Sequence, residues 1–255
     1  MADWSYFDCD VMIGTSGIPI PDEMADATAL LGRMDHYGLD KALVYYREGR
    51  NERGVAEAAK SDRIELCWVL SLTLRGPKDR LEDQVDRMIE SGAKAARFLA
   101  SDGPSDAPLI IKPFLLGKVY EKLQKHRAPL LIEGSPLYSP EGMARYSLED
   151  IDAICGEFPD LPIILLRTHR SLETQLILMM RKHRNLYFTH TLATLYGQLE
   201  QNVEMMGINR VLFGSQMPYW DPSLPIGMLN YSDLPPEQKR RIAGANLQGL
   251  LDRVS

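Results

Sequence analysis

Short apolar runs alternate with longer amphipathic stretches along the whole chain. Runs of about four to eight apolar residues favour buried strands, whereas apolar positions three and four residues apart favour helices. Eight runs predict strands: SYFDCDVM, KALVYY, RIELCWVLSL, AKAARFLA, PLLIEG, LPIILLRT, NLYFTH and RVLFGS. The stretches between them predict helices over residues 22–37, 51–60, 77–91, 113–127, 148–158, 172–183 and 195–206, and a last helix over 235–251. Gly38, Gly92 and Gly207 stand where three of these helices would end in a left-handed cap.

Eight strands that are each followed by a helix are typical of a (β/α)8 TIM barrel, and 255 residues suit that fold. A doubly wound open sheet is the alternative, but no glycine-rich phosphate motif follows the first strand. No low-complexity linker, charge block or internal repeat divides the chain, so we predict one domain over residues 1–255. The connections 101–112 and 217–234 are predicted as long loops on the side where such barrels build binding sites.

Composition narrows the classes of partner. The chain has 29 Lys and Arg against 35 Asp and Glu, and the net charge of -6 argues against nucleic acid or an anionic membrane as a partner. No apolar stretch is long enough to span a bilayer, and the first residues do not resemble a signal peptide, so we predict a cytoplasmic protein. Cys9, Cys67 and Cys155 are isolated, which favours reduced thiols. A homodimer is left open.

Several segments carry a resemblance to a known family. They are DCDVMIG, MDHYGLDKALVYY, LLIEG, FPDLPIILLRT, NLYFTH, GINRVLFGSQMPYWDP and RRIAGANLQGLL. Together they resemble the amidohydrolase superfamily, in its amidohydrolase-related (amidohydrolase 2) TIM-barrel branch. The resemblance implies a metallo-dependent-hydrolase fold. It also implies a metal held by two histidines of strand one, one histidine each from strands five and six, and an aspartate after strand eight that serves as base.

The chain carries other residues at those positions. They are Asp10 and Met12 on strand one, Glu133 on strand five, Arg167 or His169 on strand six, and Gln216 after strand eight. Arginine has no lone pair to offer, methionine is a soft thioether, and a glutamine carbonyl binds weakly. We therefore predict a degenerate metal site and a metal-independent protein without a cofactor. The alternative is a zinc ion held weakly by Asp10, Glu133 and His169.

Residues two apart on a strand share a face, so Asp10 and Met12 are expected at the barrel mouth. Glu133, Arg167 and Gln216 are expected there by the same parity, with Arg97 beside them. Asp10 and Glu133 would balance the charges of Arg97 and Arg167. These pairs either fill the space of a lost metal or leave arginines that hold a substrate carboxylate.

The leading interpretation is a hydrolase of a small carboxylated or otherwise anionic compound, such as a lactone. Its predicted catalytic residues are Asp10, Glu133 and His169, and its predicted substrate-binding residues are Arg97, Arg167, Gln216, Tyr46 and Tyr219. The first alternative is a non-catalytic barrel that binds a small anion or a protein partner. The second is a hydrolase that depends on a weakly held metal. His190, which ends NLYFTH, is either catalytic or a histidine bonded to the backbone.

Overall fold

A computed structural model describes residues 4–14, 24, 26–46, 52–72, 80–99, 110–133, 147–168, 173–190 and 195–255. The described residues include eight strands that form one sheet in the order β1 to β8. The strands are β1 (Phe7–Met12), β2 (Lys41–Tyr46), β3 (Ile64–Val69), β4 (Ala95–Phe98), β5 (Leu130–Glu133), β6 (Ile163–Leu166), β7 (Leu186–Thr189) and β8 (Val211–Leu212). Each lies within one of the predicted apolar runs, which confirms all eight strand predictions.

Helices alternate with these strands. They are α1 (Ala27–Tyr37), α2 (Glu52–Ala58), α3 (Leu81–Glu90), α4 (Pro113–Lys125), α5 (Leu148–Glu157), α6 (Glu173–Lys182), α7 (Gln198–Met206), α8 (Ser223–Tyr231), α9 (Pro236–Arg240) and α10 (Asn246–Leu251). The succession confirms the predicted (β/α)8 fold. Within the described ranges, no helix is both long and apolar enough to cross a bilayer.

Two helix predictions need correction. The connection 217–234, predicted as a loop, contains α8, whose SLPIGMLNY sequence lacks the polar face that identifies an amphipathic helix. The single helix predicted over 235–251 is interrupted by a π-helical turn, Arg241–Ala245, between α9 and α10. Gly244 lies in this turn, and a Cβ atom there would come within 2.9 Å of the Ser5 carbonyl oxygen. The turn therefore packs closely against the start of β1.

The predicted glycine caps are confirmed in part. Gly38 ends α1 in the left-handed region, with φ 69° and ψ 34°. Gly92 follows α3 with a φ of 78°. Gly207 ends α7 with a positive φ of 89°, but its ψ of 134° lies outside the left-handed helical region.

Backbone contacts group the chain into two compact units. The first comprises Met1–Trp68 and His190–Gly249, and its buried side chains include Phe7, Leu43 and Phe213. The second comprises Val69–Thr189 and Leu250–Ser255, and its core contains the apolar side chains of β5 and β6. The single domain expected from the sequence stays a prediction.

Candidate active site

A buried cluster of three charged side chains lies at the carboxyl ends of β4, β5 and β6. Arg97 of β4 donates through Nη2 to the Glu133 Oε1 atom at 2.6 Å. Arg167 donates through Nη1 to the same oxygen at 3.3 Å. Arg97 is fully buried, and Glu133 and Arg167 are each 8% exposed. Three of the predicted site residues therefore meet in one place, and together they carry two positive charges and one negative charge.

The strand register explains only part of this meeting. Arg97 pairs with Leu131 across β4 and β5, and Glu133 follows two residues later, so Arg97 and Glu133 share a face of the sheet. Glu133 pairs with Leu166 across β5 and β6, which leaves Arg167 on the alternate face. The Arg167 backbone, however, has a φ of 56°, in the left-handed region. The parity argument for Arg167 is therefore wrong. Arg167 nevertheless contacts Glu133, and a left-handed backbone accompanies this contact.

Thr189, the last residue of β7, contributes to this turn and was not singled out from the sequence. Its buried hydroxyl oxygen accepts the backbone N–H of Arg167 at 3.2 Å. A buried backbone N–H needs such an acceptor once it has left the strand ladder. The available signal was a threonine at the end of a strand that neighbours β6. Its hydrogen bond to Arg167 could not be predicted, because the contact depends on the backbone turn at Arg167.

The first compact unit contains the predicted strand-one residues. Asp10 is fully buried, and its backbone N–H donates to the Asp8 Oδ1 atom at 3.0 Å. The same oxygen accepts the backbone N–H of Ser215, which follows β8, at 2.9 Å. The register of β1 with β2 shifts between Asp8 and Val11, so β1 contains one residue more than its partner there. Strict alternation through Asp10 therefore fails, and the parity argument does not fix its direction.

Asp8 is a buried carboxylate that sequence reasoning passed over. Burial raises the pKa of Asp8 to about 7. Hydrogen bonds from Ser215 and Asp10 lower this pKa, and the nearby charge of Asp10 raises it further. The Oδ2 atom is buried and has no hydrogen-bond partner among the described residues. A second aspartate beside Asp10 in a strand whose other residues are apolar was the available signal, because a charged group is rarely placed there without a specific partner.

The residues after β8 fold back onto β1. Gln216 has a φ of 65°, so its backbone is left-handed, as that of Arg167 is. The Met217 carbonyl accepts the backbone N–H of Met12 at 2.9 Å. The Tyr219 hydroxyl lies 3.5 Å from the Met12 Sδ atom, and Tyr219 is 37% exposed. Met12, Gln216 and Tyr219 therefore lie near one end of β1, and their predicted roles stay predictions.

His190 is bonded to the backbone. Its Nδ1 atom lies 3.0 Å from the Leu212 carbonyl oxygen, and its Nε2 atom lies 3.2 Å from the Pro225 carbonyl oxygen. The side chain is buried, and burial lowers its pKa, although both carbonyl contacts act to raise it. Of the two roles left open from the sequence, the geometry favours the structural one.

Two predicted site residues fall wholly or partly outside the described residues. His169 lies outside them, and β6 ends at Leu166, so Arg167 follows that strand directly. Tyr46 ends β2, but only its backbone is described. Their predicted roles stay predictions.

The donor set of the described residues does not fit the metal that the resemblance implies. The Glu133 Oε1 atom is occupied by two guanidinium groups, and Arg167 stands where a ligand is expected but carries only donors. The Met12 thioether is contacted by Tyr219 and suits soft metals. Within the described ranges, no three His, Cys, Asp or Glu side chains are grouped so that they could hold a metal ion. His169 lies outside that search.

Comparison with known proteins decides the family. A family model described as amidohydrolase matches residues 16–248. The chain belongs to the amidohydrolase 2 family. This membership confirms the resemblance that the strand-end segments carry. No curated protein matches the sequence.

Several solved structures superpose on nearly the whole chain. An uncharacterised TIM-barrel protein from Bordetella bronchiseptica has a TM-score of 0.79 at 15% identity and covers 98% of this chain and 99% of its own. A 2,6-dihydroxybenzoate decarboxylase complexed with 2,6-dihydroxybenzoate has a TM-score of 0.74 at 16% identity, with 99% of each chain covered. A probable 2-pyrone-4,6-dicarboxylic acid hydrolase from Acinetobacter baumannii has a TM-score of 0.69 at 12% identity and covers 97% and 99%. At these identities the likeness shows the fold alone.

Proposed function

We propose that this amidohydrolase-family chain is a hydrolase of a small carboxylated compound, held by Arg97 and Arg167, that works without a tightly bound divalent metal. One observation carries the proposal: two guanidinium groups converge on a single oxygen of Glu133 at the carboxyl ends of β4 to β6. Active sites of (β/α)8 enzymes lie at this end of the strands.

Guanidinium groups suit carboxylate recognition because each presents five N–H donors in a planar fork. Glu133 engages both arginines through one oxygen, and its place between them holds the two like charges together. A substrate carboxylate would be recognised by the same kind of contact that each arginine makes to Glu133. Two of the similar proteins are named for carboxylated compounds, a dihydroxybenzoate and a pyrone dicarboxylate, which supports this substrate class.

Hydrolysis fits the cluster better than decarboxylation. A carboxylate bound by arginine is stabilised in the ground state, and loss of carbon dioxide would forfeit that stabilisation. If the arginines bind a carboxylate that does not react, and the reaction takes place at another bond, the carboxylate keeps this stabilisation throughout. A lactone or activated ester suits a site without a Lewis acid, because its leaving group needs little assistance. Amide hydrolysis would need more.

Proton transfer is assigned to Asp10, with His169 and Glu133 as the other predicted candidates. Asp10 lies in the carboxyl half of β1, the end at which the fold places catalytic groups. Glu133 is already engaged with two guanidinium groups, which favours its role as the counter-charge of the arginines. A group that moves a proton must come within hydrogen-bond reach of the reacting atom.

The test uses one lactone with carboxylates and one without. We expect 2-pyrone-4,6-dicarboxylate to bind the protein in calorimetric titration and 2-pyrone not to bind. Arg167→Met should weaken binding by about 10- to 100-fold, the range for loss of one charged hydrogen bond. Arg181→Met removes a charge from an exposed position of α6 and is the matched control. Hydrolysis, followed by absorbance, should persist after treatment with a chelator.

Equal binding by the Arg167→Met variant, or no binding of any small carboxylate, would rule out the arginine clamp. Binding without turnover of lactones and esters would favour the non-catalytic barrel. Turnover that disappears with chelator and returns with zinc would favour the weakly held metal.

A further inference from the structure

Asp8 joins two segments that lie far apart in the sequence. Its Oδ1 atom accepts the N–H of Asp10 in β1 and the N–H of Ser215 after β8. The side chain is fully buried, as that of Asp10 is, and its Oδ1 atom is engaged by backbone N–H groups of both segments. Through these two hydrogen bonds Asp8 can act on the predicted site residues.

The residues that it holds are those of the predicted site. The register shift in β1 takes Asp10 out of regular pairing with β2, and the Asp8 carboxylate supplies the acceptor for its N–H. On the other side, Ser215 precedes Gln216, whose left-handed backbone turns the chain toward Tyr219. The Ser215 hydroxyl in turn accepts the N–H of Met217 at 3.0 Å. One carboxylate oxygen thus fixes the bulge and the start of the turn.

A purely structural residue at this position would not need an ionisable group. Burial of a carboxylate costs free energy, and Oδ2 recovers none of it through a hydrogen bond from the described residues. A bulge and a turn can be joined through an amide or hydroxyl oxygen at lower cost. Costly buried groups of this kind are frequent where a site must be held in one geometry.

We propose that Asp8 is a positioning residue, which holds Asp10 and the Ser215–Gln216 turn in the geometry that the reaction requires. The inference rests on the proposed function in one respect, the assignment of proton transfer to Asp10. It adds Asp8, which was not among the site residues predicted from the sequence. The contact itself is independent of the substrate.

Three variants of the full chain separate positioning from general stability. Asp8→Val removes the acceptor oxygen, Asp8→Asn keeps one at the same place, and Phe7→Leu disturbs the buried part of β1 without touching either N–H. Amide hydrogen exchange measured by NMR should quicken about 10- to 100-fold at Asp10 and Ser215 in Asp8→Val only. Amides of β5 should keep their rates. Asp8→Ala replaces Asp8→Val if the latter does not fold.

Kinetics then test the link to the reaction. In Asp8→Val we expect kcat to fall about 10- to 100-fold, the effect of a slightly misplaced catalytic group, with KM nearly unchanged because the arginines are intact. Asp8→Asn should recover a large part of kcat. Unchanged exchange at both amides would overturn the proposal. So would a kcat in Asp8→Val that matches the Phe7→Leu control. A wild type without turnover would instead sink the proposed function, and the exchange rates would still decide whether Asp8 holds the two amides.

Discussion

The Arg167 Nη1 atom lies 3.3 Å from the Glu133 Oε1 atom, although the pairing of Glu133 with Leu166 places Arg167 on the alternate face of the sheet. The left-handed backbone of Arg167 accompanies this contact. A residue other than glycine in that region costs about 1–3 kcal/mol. Gln216, which follows β8, also has a positive φ, of 65°. Each of these two predicted site positions is therefore held in a strained backbone conformation.

The first prediction concerns this backbone at position 167. Arg167→Gly and Arg167→Ala both remove the guanidinium group, so the difference between them reports the backbone alone. We expect the glycine variant to be the more stable by about 1 kcal/mol, because glycine adopts a positive φ without steric cost. Urea unfolding measures the difference.

The same pair of substitutions at Lys118, an exposed position inside α4, is the matched control. There alanine should be the more stable by about 1 kcal/mol, because glycine loses more backbone entropy in a helix. An alanine variant at 167 that equals or exceeds the glycine variant would contradict a strained backbone.

The second prediction concerns the ion pair of Arg97 and Glu133. Arg97→Met and Glu133→Gln should each destabilise the protein by about 3 kcal/mol, because each leaves charge buried with a lost partner. The double variant should cost about 1–3 kcal/mol less than the sum of the two. Urea unfolding of the four proteins gives this coupling energy.

An exposed pair with the same separation provides the control. Lys122 and Asp86 lie 2.6 Å apart, as Arg97 and Glu133 do, but on the surface between α3 and α4. Their coupling energy should stay below about 1 kcal/mol, because solvent screens exposed charges. Equal coupling in the two pairs would show that burial does not strengthen the Arg97–Glu133 contact.

The fold was predictable because its signal is local. Each apolar run that became a strand is short and bounded by polar residues, and each cap glycine or amphipathic stretch acts on its own neighbourhood. The helix α8 was missed for the converse reason. Its sequence has no polar face, and its helical state depends on tertiary packing that periodicity does not report.

The site was predictable only as a set of residue types. Strand ends identified Arg97, Glu133 and Arg167, and the three do meet. The register shift after Asp8 and the left-handed Arg167 both break the alternation on which direction was argued. Neither the register shift nor the positive φ leaves a sequence signal, because aspartate and arginine usually adopt regular backbone conformations. Asp8 was missed because its partners, two backbone N–H groups, belong to every residue.

The third prediction follows from the buried carboxyl of Asp8. Its pKa is raised from 3.8 to about 7 by burial, so the folded protein keeps a proton that the unfolded chain releases near pH 3.8. The contribution of this pKa shift to the free energy of unfolding, measured relative to Asp8→Asn, is therefore fully present below pH 3.8. It is lost as the pH rises toward 7. The slope should approach 1.4 kcal/mol per pH unit.

Urea unfolding of the wild type and Asp8→Asn at several pH values between 4 and 8 measures this slope. The Phe7→Leu variant, which changes no titratable group, should run parallel to the wild type. A constant difference between the wild type and Asp8→Asn would show that the folded and unfolded states bind protons equally at this residue.

The fourth prediction concerns His190 and has the opposite sign. Burial lowers the pKa of His190 below its ordinary value of 6.5. As the pH falls, the unfolded chain therefore binds a proton at His190 more readily than the folded protein does. The wild type should lose stability relative to His190→Gln as the pH falls from about 7.5 toward 5. Substitution of Phe213, whose ring centroid lies 5.5 Å from that of His190, by Leu provides a destabilised control that keeps the histidine. Phe213→Leu should show the wild-type dependence on pH. If His190→Gln also shows it, the two carbonyl oxygens stabilise the imidazolium enough to offset burial, and the pKa of His190 is the same in the folded and unfolded states.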